Sequence, residues 1–225
     1  ASNPTAALEE IEWLKNKHYS VINDLTLSGT KVNREIVNAT LDEIARKAAI
    51  DIRNGLQINE AQLKDSIAGL GELLSTPIVA EAVQRKLEHK FRILEERLRT
   101  SGLSEAERGI YEHLKSCNGQ YAITLDSREK GFVTNSEFTN ARLLDKSLDT
   151  EIARHHQSSR ARNKNRILFY PGFVARDEHG STTTLGRDGS NVTAIALAAS
   201  IKANQVVIYS DTNGVLIADP RIIGE

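Results

Sequence analysis

The run Thr182-Thr183-Thr184-Leu185-Gly186-Arg187-Asp188-Gly189-Ser190-Asn191-Val192-Thr193 decides how the second half of this 225-residue chain folds. Its hydroxyls and glycines lead into an alanine-rich stretch that predicts a helix from about Thr193 to Ala203. Gln205 to Tyr209, with Val206, Val207 and Ile208, then predicts the clearest strand in the chain. A turn of this composition at a helix start bares backbone N–H groups. With the helix dipole, such amides hold phosphate or carboxylate oxygens, and glycine removes the Cβ that would keep an anion at a distance. Arg187 adds a planar donor fork suited to a carboxylate. A solvated turn before a capped helix has the same composition, so the run alone leaves both readings open.

Upstream, Arg166 to Tyr170 predicts a buried strand stopped by Pro171-Gly172, and Ala141 to His155 a helix. After an Asn118-Gly119 turn, Tyr121, Ile123 and Leu125 alternate with polar residues as a strand does, and Phe132-Val133 suggests a second short one. Strand, helix, strand, helix, strand is the order that produces a layered α/β sheet. The first half differs. Apolar residues at helical spacing predict helices over Thr5 to Leu25, Lys31 to Leu56 with Gly55 as its stop, and Asn59 to Leu74. Another runs from beyond Pro77 to Thr100, and Ser104 with Glu107 forms a capping-box signature for a short helix ending near Ser116. The expected division is a mostly helical region over 1–118 and an α/β region over 119–225.

The formal net charge of −1 gives no chain-wide bias toward nucleic acid or anionic membranes. Cys117 is the only cysteine, which excludes an internal disulfide or a thiolate zinc cluster and fits a reducing compartment, so cytoplasm is expected. Apolar runs such as Ala194 to Ile201 fall short of the roughly 20 residues that span a bilayer. Methionine is absent even from position 1, so further sequence is expected around this chain. Arg154 to Arg166 holds five Arg or Lys and no acid, but lacks interleaved aromatics. It reads more naturally as a solvated helix end than as a nucleic-acid surface. His155 and His156 are adjacent, not one helical turn apart, and are assigned to solvent, with no metal site. The mixed charges of Arg85 to Arg99 predict a solvated helix face.

Downstream, Tyr209-Ser210-Asp211-Thr212-Asn213-Gly214-Val215-Leu216-Ile217-Ala218-Asp219-Pro220-Arg221 ends a strand in a Ser-Asp pair and a tight turn, the kind of strand end where α/β sheets bind ligands. With the Thr-Thr-Leu-Gly-Arg segment and the Ala-Asp-Pro-Arg, this order resembles the aspartokinases of the amino-acid kinase fold. Gly71-Glu72-Leu73-Leu74-Ser75, Asp126-Ser127-Arg128 with Thr134, and Pro171-Gly172-Phe173 resemble further motifs of that family. The resemblance spans residues 8 to 223.

It implies a layered α/β fold with a central, mainly parallel sheet, and transfer of the ATP γ-phosphoryl group to the β-carboxylate of L-aspartate with Mg2+, the first step toward lysine, threonine and methionine. By that likeness Arg187 grips a carboxylate of aspartate or a similar small amino acid, and Glu72 faces its amino group. The amides of Asp188, Gly189 and Ser190 line the same pocket, Asn191 sits beside the reacting phosphate, and Ser210, Asp211, Leu216 and Arg221 contact the nucleotide. A homo-oligomer is compatible with it, and no membrane partner is implied. Departures are Asp188 for a glycine, Asn191 for an aspartate and Leu216 for a tyrosine. The family's Lys-Phe-Gly-Gly-Thr-Ser turn, its later lysine and its ACT domains have no counterpart in these 225 residues. Those departures leave a second expectation open, a fold-retaining binding or regulatory protein without the chemistry.

Overall fold

The computed structural model describes residues 4–27, 33–54 and 59–209. Three helices open the chain, α1 (Pro4–Leu27), α2 (Arg34–Asn54) and α3 (Glu60–Thr100). Ile11 and Ile22 of α1, Val37 and Leu41 of α2, and Leu63, Leu70, Leu74 and Ile78 of α3 pack into one buried cluster. Within each helix these residues recur near multiples of 3.6, which puts them on a single stripe.

The expected break at Pro77 does not occur. α3 runs unbroken for 41 residues with Pro77 inside it. Proline removes one amide donor and crowds the carbonyl of Leu73, but Leu73, Leu74, Pro77 and Ile78 are all buried, so packing holds the helix through the defect. A reciprocal Asn59–Gln62 capping box starts α3, and amides of Ser101 and Gly102 close it on the Arg97 carbonyl, with Gly102 at φ 80°. By length and composition α3 could cross a membrane, with a window of mean hydropathy 1.2. Here its apolar stripe is core.

The capping box at Ser104 and Glu107 is present and starts α4 (Glu105–Ser116). Tyr111, Leu114 and Cys117 pack with Leu94 of α3 and with Tyr121, and the Phe91 and Tyr111 rings stack with centroids 5.3 Å apart. After a left-handed turn at Asn118 and Gly119, β1 (Ala122–Thr124) pairs in parallel with β3 (Ile167–Phe169). The Gln84 side chain of α3 accepts the Tyr121 and Ala122 amides at 2.7 and 3.1 Å, which sets β1 against α3. The expected burial of β3 is incomplete, because Ile167 is 45% exposed.

β2 (Val133–Thr134) pairs in parallel with β4 (Val174–Asp177), which turns back into the antiparallel β5 (Thr182–Thr184). That β4–β5 hairpin was not expected from the sequence. The helix expected from Ala141 begins later and ends later: Leu143 bridges Thr134, Ser147–Glu151 form a π turn, and α5 (Ile152–Arg162) follows. Gly131 allows the close approach here, since a Cβ would fall 2.7 Å from the Ile152 amide nitrogen. The last helix, α6 (Gly189–Ser200), starts four residues before its expected Thr193. Gln205 to Tyr209 is not paired as a strand among the described residues. Val206, Val207, Ile208 and Tyr209 stand exposed, Tyr209 by 94%.

His156, assigned to solvent from sequence, is half-buried and shares a 3.1 Å hydrogen bond between Nδ1 and the Tyr170 hydroxyl. His155 pairs with Glu151 at 3.6 Å. Burial lowers both imidazoles from their ordinary value and pushes Tyr170 up to about 12.

Candidate functional site

Arg187 lies in the short turn between β5 and α6. Gly186 at φ 70° and Asp188 at φ 58° carry the chain through that turn in the left-handed region. At Gly186 the positive φ favours glycine, and a Cβ would also press on the Asn140 side-chain oxygen, which would have to shift. Asp188 stands where the aspartokinase pattern has glycine, and the backbone explains the preference: a residue with a Cβ is held there at an energetic cost that aspartate tolerates better than most. Arg187 is exposed, and its guanidinium has no partner among the described residues.

Gly189 and Gly172 join two of the motifs. A Cβ on Gly189 would sit 2.8 Å from Phe173 Cδ2 and 2.9 Å from Leu185 Cβ, and one on Gly172 would sit 3.0 Å from Ser190 Cα. The Phe173 amide donates to Thr193 Oγ1 at 3.0 Å. Pro171-Gly172-Phe173 therefore lies against the first turn of α6. Of the three amides expected to face a ligand, that of Gly189 donates to the Gly186 carbonyl at 3.2 Å. Those of Asp188 and Ser190 have no partner among the described residues. Ser190 and Asn191 are exposed, and the Asn191 amide donates to the Asp188 carbonyl at 2.9 Å.

Glu72 sits on α3, half-buried, and desolvation alone pushes its carboxyl above the usual range. No hydrogen bond or ion pair joins it to Arg187 among the described residues. One turn earlier, a Cβ on Gly69 would lie 2.7 Å from Val174 Cγ2 and 3.4 Å from Thr182 Cγ2, so its absence lets α3 lie flat on the β4–β5 hairpin. Arg128, held by Asp126 at 2.6 Å, reaches Thr182 Oγ1 at 3.1 Å, and the buried Ser127 hydroxyl donates to the Val174 carbonyl at 2.7 Å. The Asp126-Ser127-Arg128 motif thus braces the same hairpin.

Sequence reasoning missed Asp65. It lies on α3, 1% exposed, and accepts three hydrogen bonds, from the amides of Thr139 and Thr184 and from the Thr184 hydroxyl. The available signal was an acid at a core-facing position, two turns before Glu72 in an apolar stretch. No group of three or more His, Cys, Asp or Glu that could hold a metal occurs among the described residues. Ser210, Asp211, Leu216 and Arg221 lie outside the described residues.

Residues 6–225 match the amino acid kinase family. The aspartokinase of Helicobacter pylori strain 26695 is 42% identical over 216 residues, which is 96% of this chain and 43% of that protein. The aspartokinase of Bacillus sp. MGA3 is 41% identical over 105 residues, 47% of this chain and 24% of that one. The chain thus spans under half the length of these relatives. Among solved structures, Escherichia coli aspartokinase III in complex with aspartate and ADP superposes with a TM-score of 0.64 at 19% identity, covering 98% of this chain and 40% of that one. At that identity the likeness is one of fold.

Proposed function

The chain belongs to the amino acid kinase family, and on that premise we propose that it is the catalytic part of an aspartate kinase, which moves the γ-phosphoryl group of ATP to the β-carboxylate of L-aspartate. The observation that carries this is the β5–α6 turn. An exposed guanidinium and two amides, none with a partner among the described residues, stand at the start of a 12-residue helix, an arrangement that fits a small dianionic acid. Glu72 supplies the complementary charge. It is half-buried and has no cationic partner among the described residues, a state that is costly to the free protein and that a substrate ammonium would relieve.

Phosphoryl transfer asks a protein chiefly for alignment and charge neutralisation, so fixed amides and an arginine suffice in outline without a covalent nucleophile. The nucleotide would be held by Ser210, Asp211, Leu216 and Arg221, on the strength of the motif alone. Magnesium fits as an ion brought by the ATP phosphates, since it commonly takes few protein ligands beside them. The lone buried cysteine accords with a cytoplasmic setting.

The test is ADP formation by the full-length gene product. Release that requires aspartate, and that falls at least about a hundredfold in Arg187→Ala, is the expected result for loss of a charged contact to substrate. Nucleotide binding without aspartate-dependent turnover would instead mark a protein that has kept the fold and lost the chemistry.

A further inference from the structure

A buried carboxylate is tolerated only where hydrogen bonds replace water, and Asp65 has such bonds but no cation among the described residues. Its Oδ2 accepts the Thr139 amide at 2.9 Å and the Thr184 amide at 3.0 Å, and its Oδ1 accepts the Thr184 hydroxyl at 2.6 Å. An apolar side chain could fill such a place at less cost, so the bonds matter for what they fix.

They fix the base of the Arg187 turn. Thr184 is the last residue of β5, three positions before Arg187. Thr139 adjoins Asn140, which packs on Gly186, and the Ala141 amide donates to the Thr184 carbonyl at 2.9 Å. The Leu185 amide continues the anchoring on the Phe173 carbonyl at 2.9 Å. Beyond it the chain turns through Gly186 to Arg187, whose own side chain has no partner among the described residues. The direction of that guanidinium is therefore inherited from the residues beneath it.

We infer that Asp65 is a positioning residue, whose carboxylate locks the end of β5 and the Thr139–Ala141 loop into one arrangement and so aims Arg187 and the first α6 amides at an acidic amino-acid substrate. The inference rests on Arg187 being the carboxylate-binding group.

Two variants of the full-length gene product test it, Asp65→Asn and Thr184→Val. Asparagine keeps one oxygen for the two amides, and the Thr184 hydroxyl can turn to accept from the new amide group. Thr184→Val deletes only the hydroxyl contact, so it carries the test should the first variant not fold. In both, hydrogen exchange is expected to speed up at residues 139–141 and 184–188 and to stay unchanged in α1, α2 and α4. The KM for aspartate should rise about tenfold, as for a weakened charged contact, with the KM for ATP and the melting temperature close to wild type. Unaltered exchange at 184–188 overturns the inference, as does an equal rise in both KM values. If the wild-type protein forms no aspartate-dependent ADP, the kinase reading falls by itself, and the exchange measurement still decides whether Asp65 holds the turn.

Discussion

Asp188 and Glu72 each carry a local penalty that the proposed ligand site would explain. At φ 58° and without a side-chain cap hydrogen bond, Asp188 holds a strained backbone, and it adds a negative charge next to the α6 N-terminus, which favours an anion. Asp188→Gly should remove a left-handed penalty of about 1 kcal/mol, partly offset by the greater freedom of glycine in the unfolded chain. The expected outcome is a small rise in melting temperature with a lower KM for an anionic ligand; a fall in melting temperature would contradict the strain. Glu72 has its folded pKa raised by burial, so stability is full while it is protonated and declines as pH rises through that value. Glu72→Gln should therefore melt above wild type at neutral pH, and the gap should close in acid, while aspartate binding weakens. Calorimetry at two pH values checks both. Arg187, Glu72 and Gly189 could be singled out from the sequence because each belongs to a short motif with its own chemistry, and the structure places the first and last at the β5–α6 turn and Glu72 on α3. Asp65 was not, because its partners Thr139 and Thr184 are 74 and 119 residues away, and no local pattern signals that a buried acid will find three donors.

Among the elements, α3 does most to place the site, and two of its glycines separate helix propensity from packing. A Cβ on Gly71 would meet nothing within 4 Å, whereas one on Gly69 would fall 2.7 Å from Val174 Cγ2, on a residue with no exposure. Gly71→Ala should thus stabilise by up to about 1 kcal/mol through helix propensity. Gly69→Ala should destabilise by about 1 kcal/mol or more, since overpacking costs of about 1–3 kcal/mol outweigh the same propensity gain. Urea denaturation of the two variants reads the signs, and a shared sign would mean that α3 does not rest on the hairpin. The helices were legible because their apolar stripes and caps are local. Continuity through Pro77 was not, since burial on both sides decides it. The β4–β5 hairpin escaped notice because β5 is three threonines, two of them buried through hydroxyl bonds such as the 2.7 Å contact between Thr134 and Thr183, so hydropathy gave no alternation. Gln205 to Tyr209 differs the other way: four apolar residues in a row mark strand propensity, but pairing needs a neighbour, and none lies beside them among the described residues.

Across the molecule, α3 threads two hydrophobic clusters whose support is unequal. Leu74 lies in the one formed with α1 and α2, and Leu94 in the one formed with α4 and Tyr121, about 30 Å further along the helix at 1.5 Å per residue. The α1–α2 pair packs chiefly on itself and on α3, whereas the far half of α3 is tied to α4, to β1 through Gln84, and to Cys117, whose thiol donates to the Asn165 carbonyl at 3.2 Å. Units with fewer ties open at lower free energy. Trp13, the sole tryptophan, sits exposed on α1, a helix of the first cluster, and Cys117, the sole thiol, lies within the second, so one reports the environment of α1 and the other the opening of the far cluster. Burial also raises the Cys117 thiol, which keeps it unreactive until its cluster opens. In rising urea, Trp13 fluorescence and part of the helical circular dichroism should change before Cys117 reacts with a thiol reagent. Leu41→Ala, at a position with no exposure, should shift only that first step, by about 2–5 kcal/mol. Coincident transitions for the two reporters, moved together by Leu41→Ala, would mean that the helical part and the site unfold as one unit and that α3 transmits stability along its whole length.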